Sequence, residues 1–274
     1  MIEEGVYLDL CNEAYHGDKN SLSRSSIMDF GKSPHYFWSK HLNKNRPQKK
    51  STAAMMFGAA FHTYVLEFDK FNEFYEIELP KVLLKDVGRE KYDQNKKALQ
   101  EQMNCGKKII SKDDVDLLRE MKSALNSCKT AFDLIRGATY EKSFFWTDEH
   151  SGLMIKSRPD ILHDNMIIDL KTMNDVSPRS FQSWMVSSGY HVQGAMIRDA
   201  VKHFEGKDIS TVINICIEKE YPYSIAIYII DEAALEAGHM QYKQLLLEIK
   251  DACENNDFPD GGVQIIGLPA WAHY

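Results

Sequence analysis

The stretch SRPDILHDNMIIDLKTM, residues 157–173, sets Asp160 and Asp169 nine residues apart and places Lys171 two residues after the second. Paired carboxylates offer oxygen ligands to a hard divalent cation, magnesium or manganese rather than zinc. A lysine beside such a cation can orient an attacking water or take its proton, because burial and positive charge both disfavour its ammonium form. Bound cations can stabilise the attacking and leaving oxygens of a phosphodiester during in-line displacement. Asp169-x-Lys171 is weak by itself. Glu248-Ile249-Lys250 repeats it within a helical pattern and reads as a surface ion pair.

Context distinguishes the two. Side chains alternate faces along a strand, so in MIIDLKT Ile168 and Leu170 share one face while Asp169 and Lys171 project together from the other. Pro159 cannot donate to a ladder, so it marks a strand end, an edge or a bulge where Asp160 turns toward the same place. Carboxylates that converge repel each other unless a cation sits between them.

The elements that must position these residues follow from pattern. Ser21 to about Phe68 reads as helical, with serine N-caps in SLSRSSIMDFGKSPHYFWSKHL and a second helix in AAMMFGAAFHTYVLEF. FYEIEL reads as a strand, and Ser111-x-x-Asp114 opens a helix through VDLLREMKSALNS. TYEKSFFWTD and LMIKSRPDIL flank EHSG as a hairpin. MIIDLKT is the next strand, followed by a helix from Ser177 to about Phe204, strands TVINICIEK and YSIAIYII, and a closing helix from Asp231 to about Glu254. The order β-β-β-α-β-β predicts an α/β (α+β) class with one mixed sheet flanked by helices.

Composition bounds the function. The 274 residues are 43% hydrophobic and 27% charged, with net charge −7, the balance of a water-soluble globular chain. No apolar run reaches bilayer length and the N-terminus lacks a signal-peptide pattern, so the expected location is the cytoplasm, without a membrane partner. Five isolated cysteines argue against a zinc site, an iron–sulfur cluster or a disulfide framework. Charge is uneven along the chain. Residues 19–50 hold eight Lys/Arg, among them Lys40, Lys44 and Lys49, against the single acid Asp29, with aromatics interleaved. Such a zone suits phosphates and bases, or else it is a solvated helix whose aromatics face the core.

Taken together, the motifs resemble the PD-(D/E)XK nucleases, and within them the RecE-type (exonuclease VIII-like) enzymes of phages and prophages. RPD followed by DLKT matches the central motif, FGAAFHTYVLEF its G-x-x-x-H helix with Gly58 and His62, and GYHVQGAMIRDA the following helix with Gln193. YEKSFFWTDEHSGLMIKSRPD is similar to the strand pair leading into the motif, with Glu141 at a frequently acidic position. The serine-rich opening SLSRSSIMDF is similar to a segment lying near the DNA end. Relatives often carry tyrosine four residues after the glutamine, where this chain has Ile197.

The resemblance implies a restriction-endonuclease-like core, with Asp160, Asp169, Lys171 and Gln193 catalytic. It implies a metal site of His62, Asp160, Asp169, the Leu170 backbone carbonyl and Glu141, holding two Mg²⁺ ions for which Mn²⁺ substitutes. It implies DNA contacts at Ser23, Arg24, Ser25, Ser26, Arg158, Thr172 and Tyr190, joined by Lys40 and Lys44 of the basic zone. The expected activity is 5′–3′ resection of linear double-stranded DNA, with a single-strand annealing (RecT-type) partner and a homo-oligomeric ring. The expected organisation is one nuclease domain over 1–274, helical to 137, an αβ core over 138–256 and a tail from 257. Plainer readings stand beside these: His62 as a core histidine, Glu141 as an outward strand residue, Gln193 as a packing residue and the serines as N-caps. An endonuclease, an idle DNA-binding module of the same fold and a small-molecule phosphoesterase are the alternative functions.

Overall fold

The structure is a computed structural model and describes residues 2–47, 52–263 and 265–268. Lys49 and Lys50 of the basic zone lie outside the described residues. The chain opens with β1 (Gly5–Tyr7), α1 (Asn12–Gly17) and β2 (Leu22–Ser23), then α2 (Arg24–Lys32) and α3 (Pro34–Phe37), which runs into a π-helical turn over Trp38–Leu42. Next come α4 (Ala53–Leu66), α5 (Phe68–Phe74), β3 (Tyr75–Ile77), α6 (Leu84–Val87), α7 (Arg89–Met103), β4 (Lys108–Ile110), α8 (Lys112–Ser127) and α9 (Lys129–Ile135). The remainder is β5 (Thr139–Tyr140), β6 (Ser143–Thr147), β7 (Met154–Ser157), β8 (Ile161–Leu162), β9 (Met166–Met173), α10 (Pro178–Ser188), α11 (Tyr190–Glu205), β10 (Thr211–Glu218), β11 (Ile225–Ile230) and α12 (Glu232–Asn255).

A mixed five-stranded sheet in the order β11-β10-β9-β8-β5 forms the centre, with β9 and β10 parallel and Asp169 opposite Asn214. Period-2 alternation along β9 sorts its side chains as the sequence predicts. Ile168 and Leu170 are fully buried in a cluster with Phe61 of α4 and Leu118, Met121 and Leu125 of α8. On the opposite face Ile167 joins Val192 and Met196 of α11 and Tyr242 of α12. Helices thus cover both faces of the sheet, and Asp169 and Lys171 point to the α11 side.

The sequence predicts one sheet, whereas the structure divides the strands among three, β3 and β4 forming a parallel pair of their own. β6 and β7 pair with each other as expected, but they belong to a second sheet in the order β1-β6-β7-β2. Each arm of the hairpin leaves one sheet and joins the other. TYEKSFFWTD breaks at Glu141, which adopts φ 51°, and LMIKSRPDIL breaks at Arg158-Pro159-Asp160 between β7 and β8. Pro159 explains the second break, since it cannot extend the ladder.

The expected helix over 177–204 is two helices. Gly189 takes φ 69°, a conformation that ends α10 and that a residue with a Cβ adopts at a cost. Where α12 crosses α11, a Cβ on Gly238 would stand 2.6 Å from the His191 carbonyl oxygen, so glycine alone permits that approach. Serine capping is as read: Ser23 accepts from the Ser26 N–H while Ser26 Oγ accepts from the Ser23 N–H, and Ser111 accepts from the Asp114 N–H. Such caps contribute about 1 kcal/mol each. Among the described residues no helix is long and apolar enough to cross a membrane.

Candidate metal and nucleic-acid site

The two strand breaks lie side by side, the Glu141 N–H donating to the Asp160 carbonyl oxygen at 3.1 Å. That contact brings the Glu141 carboxylate to Asp160, and α4 delivers His62 from the third side. His62 Nδ1 is 3.3 Å from Asp160 Oδ1, and one donor atom from each of His62, Glu141 and Asp160 lies within 4.8 Å of the other two. Asp160 Oδ2 accepts from the Leu170 N–H at 2.7 Å, which locks the carboxylate against β9. One residue along, Asp169 Oδ1 accepts from Gln193 Nε2 at 3.0 Å, while Oδ2 pairs with Lys171 Nζ. Gln193 Oε1 is buried without a partner among the described residues.

The electrostatics follow from crowding. Burial and then the Asp160 charge push Glu141 up to about 7, against the pull of His62 and Arg158. Burial and the same Asp160 charge push Asp169 up to about 6. Asp160 resists burial because His62, Lys171 and the Leu170 N–H favour its anion, and it lies well below the usual carboxylate range. Burial opposes the His62 cation, but Asp160 overrides it and raises His62 to about 9. Burial likewise opposes the Lys171 ammonium, and Asp169 and Asp160 override it, so Lys171 is held above its ordinary value. Without a cation, the carboxylates therefore favour the lysine's charged form, opposite to the direction expected beside a bound cation. One nitrogen and carboxylate oxygens drawn together against their own repulsion fit a divalent ion.

These shifts fix a pH dependence. Glu141, Asp169 and His62 have folded values above their ordinary 4.5, 3.8 and 6.5, so the stability each contributes is present below the ordinary value and lost as pH rises through the folded one. Asp160 works in the other direction, and only in acid. Cation-free protein is expected to lose thermal stability as pH rises from about 4.5 to about 9. Glu141→Gln is expected to flatten the lower half of that curve. A melting temperature that climbs across the window would contradict the arrangement.

A cleft of about 470 Å³ opens over this cluster. Gly58, His62, Glu141, Asp160, Gln193, Ser23, Arg24, Ser25, Ser26 and Arg158 all border it. Ser23 and Ser26 are occupied in the α2 cap, and Ser25 is exposed. Arg158 faces inward. Its Nε donates to Ser143 Oγ at 2.7 Å, Nη1 to Asn12 Oδ1 at 2.7 Å and Nη2 to the Leu10 carbonyl at 2.9 Å, and it lies 4.0 Å from the Tyr15 ring centroid and 3.5 Å from Glu141. Those contacts suit holding Glu141 and the N-terminal segment more than meeting a phosphate. Lys40 is paired with Asp29, which also takes His41, while Lys44 is exposed and Thr172 half-buried.

The sequence reading missed the wall formed by residues 10–19. Lys156, buried in β7, donates to the carbonyls of Tyr15 and Asp18 at 2.7 Å each, so this inward cation and Arg158 just past the strand's end fasten the segment beside the cleft. The available signal was Lys156-x-Arg158, two cations at alternate positions of an otherwise mostly apolar arm. Gly58 lies one turn before His62, and a Cβ there would meet nothing within 4 Å. Gly58→Ala is expected to stabilise α4 by roughly 1 kcal/mol. Gly58→Phe is expected to keep the melting temperature and weaken DNA binding, measured in calcium, because its ring would project into the cleft. Undiminished affinity would remove this side of the cleft from the substrate path.

A mixed sheet with carboxylates gathered at its broken strands and a lysine two residues beyond the second motif aspartate defines the PD-(D/E)XK nuclease class. Residues 23–265 match the family described as a PDDEXK-like domain of unknown function (DUF3799), and the chain belongs to that family. A crystal structure of a "Putative exonuclease" from Eubacterium rectale has the same fold, with a TM-score of 0.61 over 96% of each chain at 17% identity. No curated protein matches this chain. Nucleases of this class typically use a divalent metal and act on DNA.

Proposed function

We propose that this protein is a metal-dependent exodeoxyribonuclease of RecE type that resects linear double-stranded DNA from 5′ ends and leaves 3′ single strands for phage-type recombination. One observation carries the reading: His62, Glu141 and Asp160 converge within 4.8 Å at the junction of two sheets, with Asp169 and Lys171 on the adjoining strand. The cleft above them is walled by serines and by Lys19, Arg24 and Arg46, a lining that suits a phosphate backbone.

His62, Glu141, Asp160, Asp169 and the Leu170 carbonyl are the groups to hold Mg²⁺, or Mn²⁺ in its place, in two positions. When bound, the metal withdraws charge from the scissile phosphodiester. Gln193 fixes the orientation of Asp169. Lys171 orients the attacking water through its Nζ. With a cation neutralising the carboxylates, burial and the cation's own charge would both lower the Lys171 pKa toward the range of a proton acceptor. The 5′ polarity, the RecT-type annealing partner, a ring assembly, the host cytoplasm as location and a single catalytic unit over 1–274 follow from the resemblance to RecE-type enzymes.

The deciding experiment is digestion, in magnesium, of a linear duplex with or without a 5′ phosphate beside the same DNA as a closed circle. Loss from the 5′ ends with intact circles is expected. Cut circles would make the protein an endonuclease, and inertness in both magnesium and manganese would remove the reading. His62→Ala is expected to lose more activity in magnesium than in manganese, since manganese tolerates a less ideal octahedron and binds such sites more tightly. An equal loss in both metals, with a lowered melting temperature, would make His62 a core residue.

A further inference from the structure

The Tyr190 ring stands beside the lysine of the motif. Tyr190 is the first residue of α11, directly after the break at Gly189, and Lys171 Nζ stands 5.0 Å from its ring centroid. Arg24 of the serine-rich segment lies 5.9 Å from the same centroid and is anchored by donating to the Ser188 carbonyl. Phe181 of α10 tilts against the ring at 6.3 Å, so the ring's place is set by packing. Its hydroxyl makes no hydrogen bond among the described residues. From this geometry we infer that Tyr190 is a positioning residue for Lys171, acting through the face of its ring and not through its hydroxyl. The inference rests on the nuclease reading above and goes beyond it in naming what aims the lysine.

The physical need is specific. Lysine carries its charge on four rotatable methylenes, and a free ammonium samples many rotamers. The anion that now holds Lys171 is Asp169, proposed above as a metal ligand, which cannot serve a metal ion and the ammonium equally. A ring has no such competing duty. Its negative face attracts an ammonium within about 6 Å, and it also attracts the nonpolar methylene stem of the lysine, so it keeps the chain aimed when Asp169 turns to another partner.

The test uses Tyr190→Phe and Tyr190→Leu in the full chain. On linear duplex in magnesium, Tyr190→Phe is expected to stay within about twofold of wild type, and Tyr190→Leu to lower kcat about tenfold with KM unchanged. The resemblance places Tyr190 among the DNA contacts, whereas on this inference its ring serves the lysine and not the duplex, so duplex affinity in calcium should be the same for all three proteins. Combined with Lys171→Met, Tyr190→Leu should add no further loss, as two residues acting through one group require. Loss in Tyr190→Phe, weakened affinity in either variant, or a full additional loss in the double variant would overturn the inference. Ring-current shifts of the Lys171 side-chain protons give a readout independent of cleavage and should persist in Tyr190→Phe and vanish in Tyr190→Leu. If wild-type protein shows the shift but cuts no DNA, the nuclease reading fails alone. If the shift is absent from wild type, the positioning role fails alone.

Discussion

Lys171→Met is expected to lower DNA cleavage by about 10²- to 10⁴-fold, the range for loss of a positioned proton-transfer group, and to bind Mn²⁺ more tightly than wild type. The two effects have one cause. Lys171 Nζ occupies Asp169 Oδ2, so the lysine competes with a cation for that oxygen and adds positive charge beside it. Methionine keeps most of the stem and removes both the competition and the charge. Single-turnover cleavage and titration calorimetry read the two quantities separately. Activity near wild type would deny Lys171 its chemical part, and a weakened metal affinity would show that the lysine supports the cluster instead of contesting it.

The second large effect concerns Asp160, where two substitutions separate chemistry from stability. Asp160→Ala and Asp160→Asn should each abolish cleavage, because both remove the anion shared by His62 and the cation cluster. Only the alanine should also unfold early. Asp160 Oδ2 is the acceptor of the buried Leu170 N–H, and stranding that donor costs about 1–3 kcal/mol. Asparagine keeps an acceptor oxygen in place. Urea denaturation of the two variants should differ by that amount, whereas Asp169→Asn, which removes a carboxylate ionised against its surroundings, should be as stable as wild type or more so. Equal stability of the two Asp160 variants would mean that the Leu170 contact contributes nothing.

Local patterns were more legible than long-range pairings. Alternation along MIIDLKT placed Asp169 and Lys171 on one face because the run has one regular period and a buried opposite side. Serines before apolar periodicity marked α2 and α8 because a cap is a local event. By contrast, the division of TYEKSFFWTD and LMIKSRPDIL between two sheets depends on which distant strand each half pairs with. Pro159 gave warning of one break, while Glu141, a residue without glycine's freedom, gave none for the other. α7 escaped notice because REKYDQNKKALQEQM is polar nearly all round, so its periodicity is faint. Arg158 read as a cation for DNA, since a sequence does not show that Leu10, Asn12 and Tyr15 wait for it across more than 140 residues. Gly189 was read through because nothing local separates a glycine that continues a helix from one that ends it.

The junction between the sheets also bears on when the molecule can become active. The three groups gathered within 4.8 Å come from α4, from the break between β5 and β6 and from the break between β7 and β8, and beside them β9 carries Asp169, braced by Gln193 on α11. No two neighbouring elements bring the set together, and contacts of such long sequence separation form late in folding. A chain still on the ribosome lacks the cluster until Asp160 has emerged and the two strand breaks have met. Any activity that needs the cluster would then be withheld from forms in which these elements have not met, and a divalent cation would report their meeting by raising the melting temperature.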